Sequence, residues 1–220
     1  MNTNQNIQKL KDKTFIISAT VNKDKIAAAH SQVIEKAQKE FKTAGFRPGK
    51  APLDVVKQNA DPKAVLEEVI QTVLSENYAE LLKENDLHPI VDPQVKIITT
   101  PLDYDKDWEV EYKCCELPEV KVDEKAFEEI KKLEDRELNK IFDILVANAE
   151  IEIPEMLKEK EKEWKINLII DKIASDQKLE VSSEEVRQAL ETNPELAQNI
   201  NLTFYLMRQQ KVINYLSSLK

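Results

Sequence analysis

Glycine is almost missing from this sequence. Only 2 of the 220 residues are glycine, where an average usage of about 7% would give about 15. The loops that cradle the phosphates of dinucleotides and nucleoside triphosphates need several glycines at fixed spacing. The scarcity therefore excludes such loops, and neither a nucleotide nor any other cofactor is expected.

Cysteine is equally scarce, with Cys114 and Cys115 as the only two. They are adjacent in a segment that alternates like a strand, so their side chains should point to opposite faces. That arrangement suits neither a structural disulfide nor a zinc site. We therefore expect two reduced, structurally ordinary thiols.

Long apolar runs are also lacking. None approaches the roughly 18 residues that would cross a bilayer, and the polar start at Met1–Asn6 has no signal-peptide core. A cytoplasmic location without a membrane partner is therefore expected. The composition, 33% charged and 41% hydrophobic residues, is that of a folded globular protein.

Negative charge predominates, because 41 acidic residues against 32 basic ones give a net charge of −9. Such a balance argues against a general binder of nucleic acid or of anionic membranes. Any contact with nucleic acid must therefore be made by a local basic segment.

Near the start of the chain, apolar residues first stand at every second position and then follow a helical period. Residues Thr14–Val21 place apolar side chains at every second position, which predicts a half-buried strand. Residues Asp24–Thr43 follow a helical period instead, and we expect this amphipathic helix to end with Gly45 as its C-cap.

A second helix and a hairpin complete this half of the chain. A long amphipathic helix begins near Pro62, and the alternating residues at 95–99 and 108–114 predict a β-hairpin. We predict an α+β N-terminal domain over residues 1–115, with a small antiparallel sheet against two helices.

The amino-acid composition changes beyond this domain. Seven of the nine prolines and both glycines lie at or before Pro118. Residues 116–121 look extended and linker-like. The hydrophobic residues after them recur with a helical period, which only Pro154 and Pro194 interrupt. An all-α C-terminal domain is therefore predicted for residues 122–220.

Both glycines lie in one loop, from Gly45 to Pro52. They permit positive φ or a close approach, while Pro48 and Pro52 stiffen the path, so the loop should present Phe46 in a defined shape. Basic residues outnumber acidic ones between residues 36 and 57: Lys36, Lys39, Lys42, Arg47, Lys50 and Lys57 against Glu40 and Asp54. A basic segment with an aromatic side chain suits ribonucleoprotein.

The segment Gly45-Phe46-Arg47-Pro48-Gly49-Lys50-Ala51-Pro52 resembles the ribosome-docking signature of the trigger factor family, bacterial chaperones that receive nascent chains. The similarity runs from the first predicted strand to Val120 and resumes at Phe142. The resemblance implies docking on the large ribosomal subunit beside the exit tunnel, with contacts to a ribosomal protein and to ribosomal RNA. It assigns ribosome binding to Gly45, Phe46, Arg47, Pro48, Gly49 and Lys50.

Two features depart from the family pattern. The best-known members have a lysine where this chain has Pro48, so one basic contact is missing or is supplied by Lys50. Family members usually carry a prolyl isomerase domain after the linker, whereas only 21 residues lie between Val120 and Phe142, where the similarity resumes. The resemblance therefore implies a form without isomerase activity, and no catalytic residue is assigned.

The expected function is ATP-independent holding of nascent or unfolded polypeptides by a ribosome-docked chaperone. The helical domain would bind these clients through aromatic and methionine side chains, which equally suit an ordinary core. The candidates are Met156, Trp164, Phe204, Tyr205 and Met207. A homodimer is left open, and no metal site is expected. Two alternatives stay: a helical interaction or assembly protein without clients, and a prolyl isomerase.

Overall fold

The computed structural model describes residues 5–41, 46–47, 49–135 and 137–219. The chain divides into two compact units, Met1–Leu117 and Pro118–Lys220. The first unit combines a sheet with helices and the second is rich in helices. The predicted fold class is thus confirmed.

A four-stranded antiparallel sheet forms one layer of the first unit, in the order β1-β2-β4-β3. Its central strands pair along their whole length, so that the buried side chains of β2 lie opposite those of β4. The predicted hairpin is confirmed, because β3 pairs with β4. The strands are β1 (Gln5–Lys9), β2 (Thr14–Val21), β3 (Gln94–Ile97) and β4 (Trp108–Cys115).

Three helices accompany this sheet: α1 (Lys23–Glu40), α2 (Leu53–Asn59) and α3 (Pro62–Glu84). Side chains of Asn22 and Asp61 cap the first turns of α1 and α3, which satisfies amides that the helix itself leaves unpaired.

The end of α1 differs from the prediction. The helix stops at Glu40 and its C-cap is Phe41, which has extended backbone angles of φ −67° and ψ 126°. The predicted end at Thr43, with Gly45 as the cap, is therefore wrong. The physical reason is tertiary, because Phe41 leaves the helix to pack its side chain against the core.

The core of the first unit lies between the sheet and the helices. Phe15, Ile17, Trp108 and Tyr112 are fully buried in one hydrophobic cluster with residues of α1 and α3. Cys114 and Cys115 are buried, free thiols, and burial raises the pKa of Cys115 to about 11. Both features agree with the expectation of structurally ordinary thiols.

The second unit consists of helices and one small ribbon, in which β5 (Val120–Val122) pairs antiparallel with β6 (Ala149–Ile151). This ribbon is the one addition to the predicted all-α domain, and strands of three residues carry too little alternation to be seen in a sequence. The helices are α4 (Glu124–Lys131), α5 (Leu138–Ala147), α6 (Glu161–Asp176), α7 (Ser183–Thr192) and α8 (Ile200–Ser218), with 3₁₀ turns at Glu155–Lys160 and Pro194–Asn199.

Candidate functional site

The loop that follows α1 is fastened to the end of that helix. The side-chain amide of Gln38 donates a 2.7 Å hydrogen bond to the carbonyl oxygen of Ala51, and Ala51 is fully buried. The amide of Gly49 points to the carbonyl oxygen of Phe41 at 3.5 Å. These contacts hold the returning arm of the loop against α1.

Glycine is required at position 49 for two reasons. Its φ is +76°, a conformation that L side chains rarely adopt. A Cβ at this position would also lie 3.2 Å from the carbonyl oxygen of Lys39, which is closer than ordinary van der Waals contact. The predicted need for positive φ in this loop is confirmed at Gly49.

The loop presents one aromatic and two basic side chains to solvent. Phe46 is 43% exposed, and Arg47 and Lys50 are exposed beside it. The amide of Lys50 donates a 2.9 Å hydrogen bond to the carbonyl oxygen of Arg47. Two of the predicted docking residues, Gly45 and Pro48, lie outside the described residues.

The basic surface around the loop is smaller than the sequence suggested. Lys36 forms an ion pair with Glu68 of α3, and the hydrogen bond to that carboxylate raises the pKa of Lys36. Lys42 lies outside the described residues. The remaining cations are exposed and form no ion pair with any residue that the structure describes: Lys39, Arg47, Lys50 and Lys57.

The beginning of α8 exposes a set of large apolar side chains. Ile200 and Phe204 share one side of the helix at a spacing of four residues, and Leu202 and Leu206 share another. Their exposed fractions are 55%, 40%, 50% and 47% in that order. Single exposed apolar residues are ordinary, but four within seven residues of one helix are not.

The rest of α8 is well fastened, which keeps this exposed end in place. Val212 and Leu216 are fully buried. Arg208 forms an ion pair with Asp171 of α6 at 3.1 Å. Near the start of the helix, the Thr203 hydroxyl donates to the carbonyl oxygen of Leu196 at 2.9 Å.

The predicted client-binding residues occupy mixed environments. Phe204 is exposed on α8, whereas Met156, Trp164, Tyr205 and Met207 are half-buried. The Tyr205 hydroxyl also hydrogen-bonds Asn167 of α6. The exposed aliphatics Ile200, Leu202 and Leu206 were not among these candidates. The signal that points to them in the sequence is their crowding at the start of one helix.

Comparison with known proteins connects these features to a family. The family model described as bacterial trigger factor protein matches residues 3–145. The chain belongs to the bacterial trigger factor family. The matched residues include the whole loop between α1 and α2, so the resemblance noted in the loop extends over most of the chain.

Individual trigger factors are also similar in sequence to this chain. The trigger factor of Clostridium acetobutylicum is 31% identical over 157 residues, which are 69% of this chain and 36% of the relative. That of Streptococcus mutans is 30% identical over 129 residues, which are 56% of this chain and 30% of the relative. The chain thus spans about a third of the length of the curated relatives it matches.

A solved structure of the trigger factor chaperone is also similar. It covers 64% of this chain and 33% of its own, at 20% identity and a TM-score of 0.40.

The family match and the exposed end of α8 concern different parts of the chain. The matched residues end within α5 at residue 145, so α6, α7 and α8 lie beyond them. For this trigger factor relative, any role of α8 must therefore be argued from its own geometry.

Neither a group of metal ligands nor a membrane-spanning helix is found among the described residues. Among those residues, no three histidine, cysteine or acidic side chains are grouped so as to hold a metal ion. No helix in the same ranges combines the length and apolarity needed to span a bilayer.

Proposed function

We propose that this chain docks on the large ribosomal subunit beside the exit tunnel and holds nascent or unfolded polypeptides without ATP. Residues 1–115 would be the ribosome-binding domain, 116–121 the linker and 122–220 the helical chaperone domain. Family membership supports the chaperone class. The observation that carries the proposal is the exposed pair Phe46 and Arg47 on a loop whose arm is fastened to α1.

The docking loop offers two kinds of contact. Phe46 can lose its remaining exposed surface in an apolar pocket or stack on a base. The Arg47 guanidinium forms paired hydrogen bonds with a carboxylate or a phosphate. Because the arm of the loop is already ordered by Gln38, Ala51 and Gly49, docking loses less conformational entropy than ordering a free loop would.

Basic contacts with ribosomal RNA would come from the cations that have no partner among the described residues. Lys50 stands two positions after Pro48, where the family has a lysine, and it is exposed. Lys39 and Lys57 are exposed on the helices that flank the loop. Each phosphate neutralised releases counterions, so ribosome affinity should fall with added salt.

Client binding would take place on the exposed start of α8. Removal of aliphatic and aromatic side chains from water is favourable and non-directional, so such a surface binds segments of many different sequences. Ile200, Leu202, Phe204 and Leu206 provide such a surface. Binding should therefore be broad and weak.

Co-sedimentation with ribosomes tests the docking. The double variant F46A/R47A should lose binding, because an apolar burial of about 2 kcal/mol and a charged hydrogen bond of about 1.5 to 3 kcal/mol correspond together to about a hundredfold or more in Kd. The matched control is L10A/K11A, since Leu10 and Lys11 are also an adjacent exposed apolar and basic pair in the first unit. Equal binding by both variants would remove the docking role.

Suppression of aggregation tests the holding activity. Without ATP, the chain should slow the aggregation of an unfolded protein, and the variant L202S/L206S should be markedly weaker. The control L117S/L138S changes two exposed leucines outside α8 and should behave as the unaltered chain. A chain that binds ribosomes but never slows aggregation would favour the alternative of an interaction or assembly protein without clients.

Prolyl isomerisation tests the other alternative. The pure chain should leave the cis/trans interconversion of an X-Pro peptide at its uncatalysed rate, with a barrier of about 18 to 20 kcal/mol. Acceleration that follows the protein through purification would make this chain an enzyme.

A further inference from the structure

The exposed start of α8 belongs to a stripe of side chains that runs along most of this helix. The residues of the stripe follow one another at spacings of four and three, which is the period at which one helix packs against another. In chain order they are Leu202, Leu206, Gln209, Ile213 and Leu216. All but one are aliphatic, so this α8 stripe has the pattern of a seam with a second helix.

The two ends of the α8 stripe differ in how well they are covered. Leu216 is fully buried and Ile213 is half-buried, so the second unit itself covers the C-terminal end. Leu202 and Leu206 are exposed at the other end. The open end therefore continues a surface that is already packed within the same unit.

The α8 helix is also depleted of charge. Of its 19 residues, only Arg208 and Lys211 are charged, whereas charged residues make up 33% of the chain. Arg208 pairs with Asp171 of α6, and Lys211 pairs with Glu185 of α7 at 2.8 Å. Both charges are thus engaged within the second unit. Depletion of charged residues is typical of the core of a protein–protein interface.

The backbone of a bound segment decides which conformation suits this surface. The amides and carbonyls of α8 bond to one another along the helix, so its middle offers no backbone partners to a segment that lies on it. An extended segment would bury some of its own backbone groups against Leu202 and Leu206, and a buried polar group without a partner is costly. A helical segment satisfies its backbone internally and can present one apolar face.

We propose that the start of α8 binds client segments as amphipathic helices, whose apolar face packs against Leu202 and Leu206. This inference rests on the proposed holding of clients and names the class of segment that is held. The surface selects apolar residues at every third or fourth position, so segments of many sequences qualify. Short helices are marginal in water, so a client helix would form as it binds.

Two synthetic peptides of identical sequence separate a helical from an extended client. Both have about 18 residues, with leucines at every third or fourth position among alanine, glutamine and lysine, which is long enough to form a helix. The second peptide has D-amino acids at two central positions, which oppose a right-handed helix and leave composition and charge unchanged. In fluorescence anisotropy titrations with the full chain, it should bind about tenfold more weakly or worse.

Variants of the chain assign this preference to α8. L202S/L206S should weaken binding of the all-L peptide and remove the difference between the two peptides. L117S/L138S changes two leucines that are also exposed but lie outside α8, so it should keep the difference.

Gln209 allows a test that adds a contact instead of removing one. It is the polar member of the α8 stripe and is half-buried. Q209L should tighten binding of the all-L peptide about two- to fivefold. Asn214 is exposed on another side of α8, so N214L provides the matched control and should leave the affinity unchanged.

The outcomes distinguish this inference from the proposed function. If the two peptides bind equally and L202S/L206S weakens both, clients bind at α8 without becoming helical, and only this inference is refuted. If L202S/L206S weakens neither, the client surface on α8 is refuted and this inference with it. If the unaltered chain binds neither peptide but still slows aggregation, the helical class of client is refuted and the holding activity is not.

Discussion

Replacing Gly49 by alanine tests whether the docking loop is held as described. The substitution places a Cβ on a residue with φ of +76° and brings it within 3.2 Å of the Lys39 carbonyl oxygen. The left-handed conformation costs a non-glycine residue about 1 to 2 kcal/mol. Alanine also restricts the unfolded chain, which offsets about 0.4 to 1 kcal/mol. The close contact adds to the cost, so G49A should lose about 1 kcal/mol of unfolding free energy.

Urea unfolding followed by Trp108 fluorescence measures this loss. Trp108 is fully buried in the first unit, and Trp164 is the only other tryptophan, so a W164F background leaves one reporter. A loss of about 1 kcal/mol should lower the midpoint by about 0.3 to 1 M urea. Ribosome affinity should fall as well if the loop relaxes rather than bearing the strain.

Asparagine at the same position provides the control. It carries the same Cβ but adopts the left-handed region more readily, so G49N should be less destabilised than G49A. If G49A is as stable as the unaltered chain, or more stable, then Gly49 is not held at positive φ against α1. That result would refute the description of the loop.

Two further predictions concern hydrogen-bonded side chains, one in each unit. The Tyr112 hydroxyl lies 3.0 Å from Asn77 Oδ1 and 3.2 Å from the Leu74 carbonyl oxygen. Y112F removes the donor to the buried Asn77 side chain and should cost about 1 to 3 kcal/mol in urea unfolding. In the second unit, the bond from Lys211 and then the backbone of its capping box lower the pKa of Glu185 to about 2. The ordinary pKa of a glutamate is 4.5, so the unfolded chain binds the proton before the folded chain does as pH falls. The stabilisation from the ionised carboxylate should therefore disappear between about pH 5 and pH 2. E185Q should flatten that part of the plot of unfolding free energy against pH, and an unchanged plot would contradict the role of the carboxylate.

The central strands and the edge strand β3 were predictable, and the edge strand β1 was not. In β2 and β4 the buried side chains alternate with more exposed ones, so the sequence shows the period of two that is typical of a strand. β1 reads Gln-Asn-Ile-Gln-Lys and has one apolar residue, because an edge strand buries little. The position of β1 depends on its pairing with β2, and the local sequence pattern does not predict that pairing.

The special conformation of the loop after α1 was predictable for a different reason, and the exposed start of α8 was only partly so. Two glycines in a chain nearly without them point to a special conformation, and one of them has positive φ. At α8 the periodicity indicates an amphipathic helix, but Leu202 and Val212 look equivalent in sequence while one is half exposed and the other fully buried. The difference depends on where α6 packs, since Arg208 and Tyr205 fasten α8 to that helix.

The central claim is that the exposed tip of the docking loop contacts the large ribosomal subunit, and a crosslinker at that tip tests it most directly. The full chain with a photoreactive phenylalanine analogue at position 46 is irradiated with ribosomes, and the same analogue at Lys11 provides the comparison, because that side chain is also exposed in the first unit. The account predicts adducts from position 46 with components of the large subunit at the exit tunnel, and none above background from position 11. Equal yields from both positions, or adducts from position 46 only with the small subunit, would contradict it.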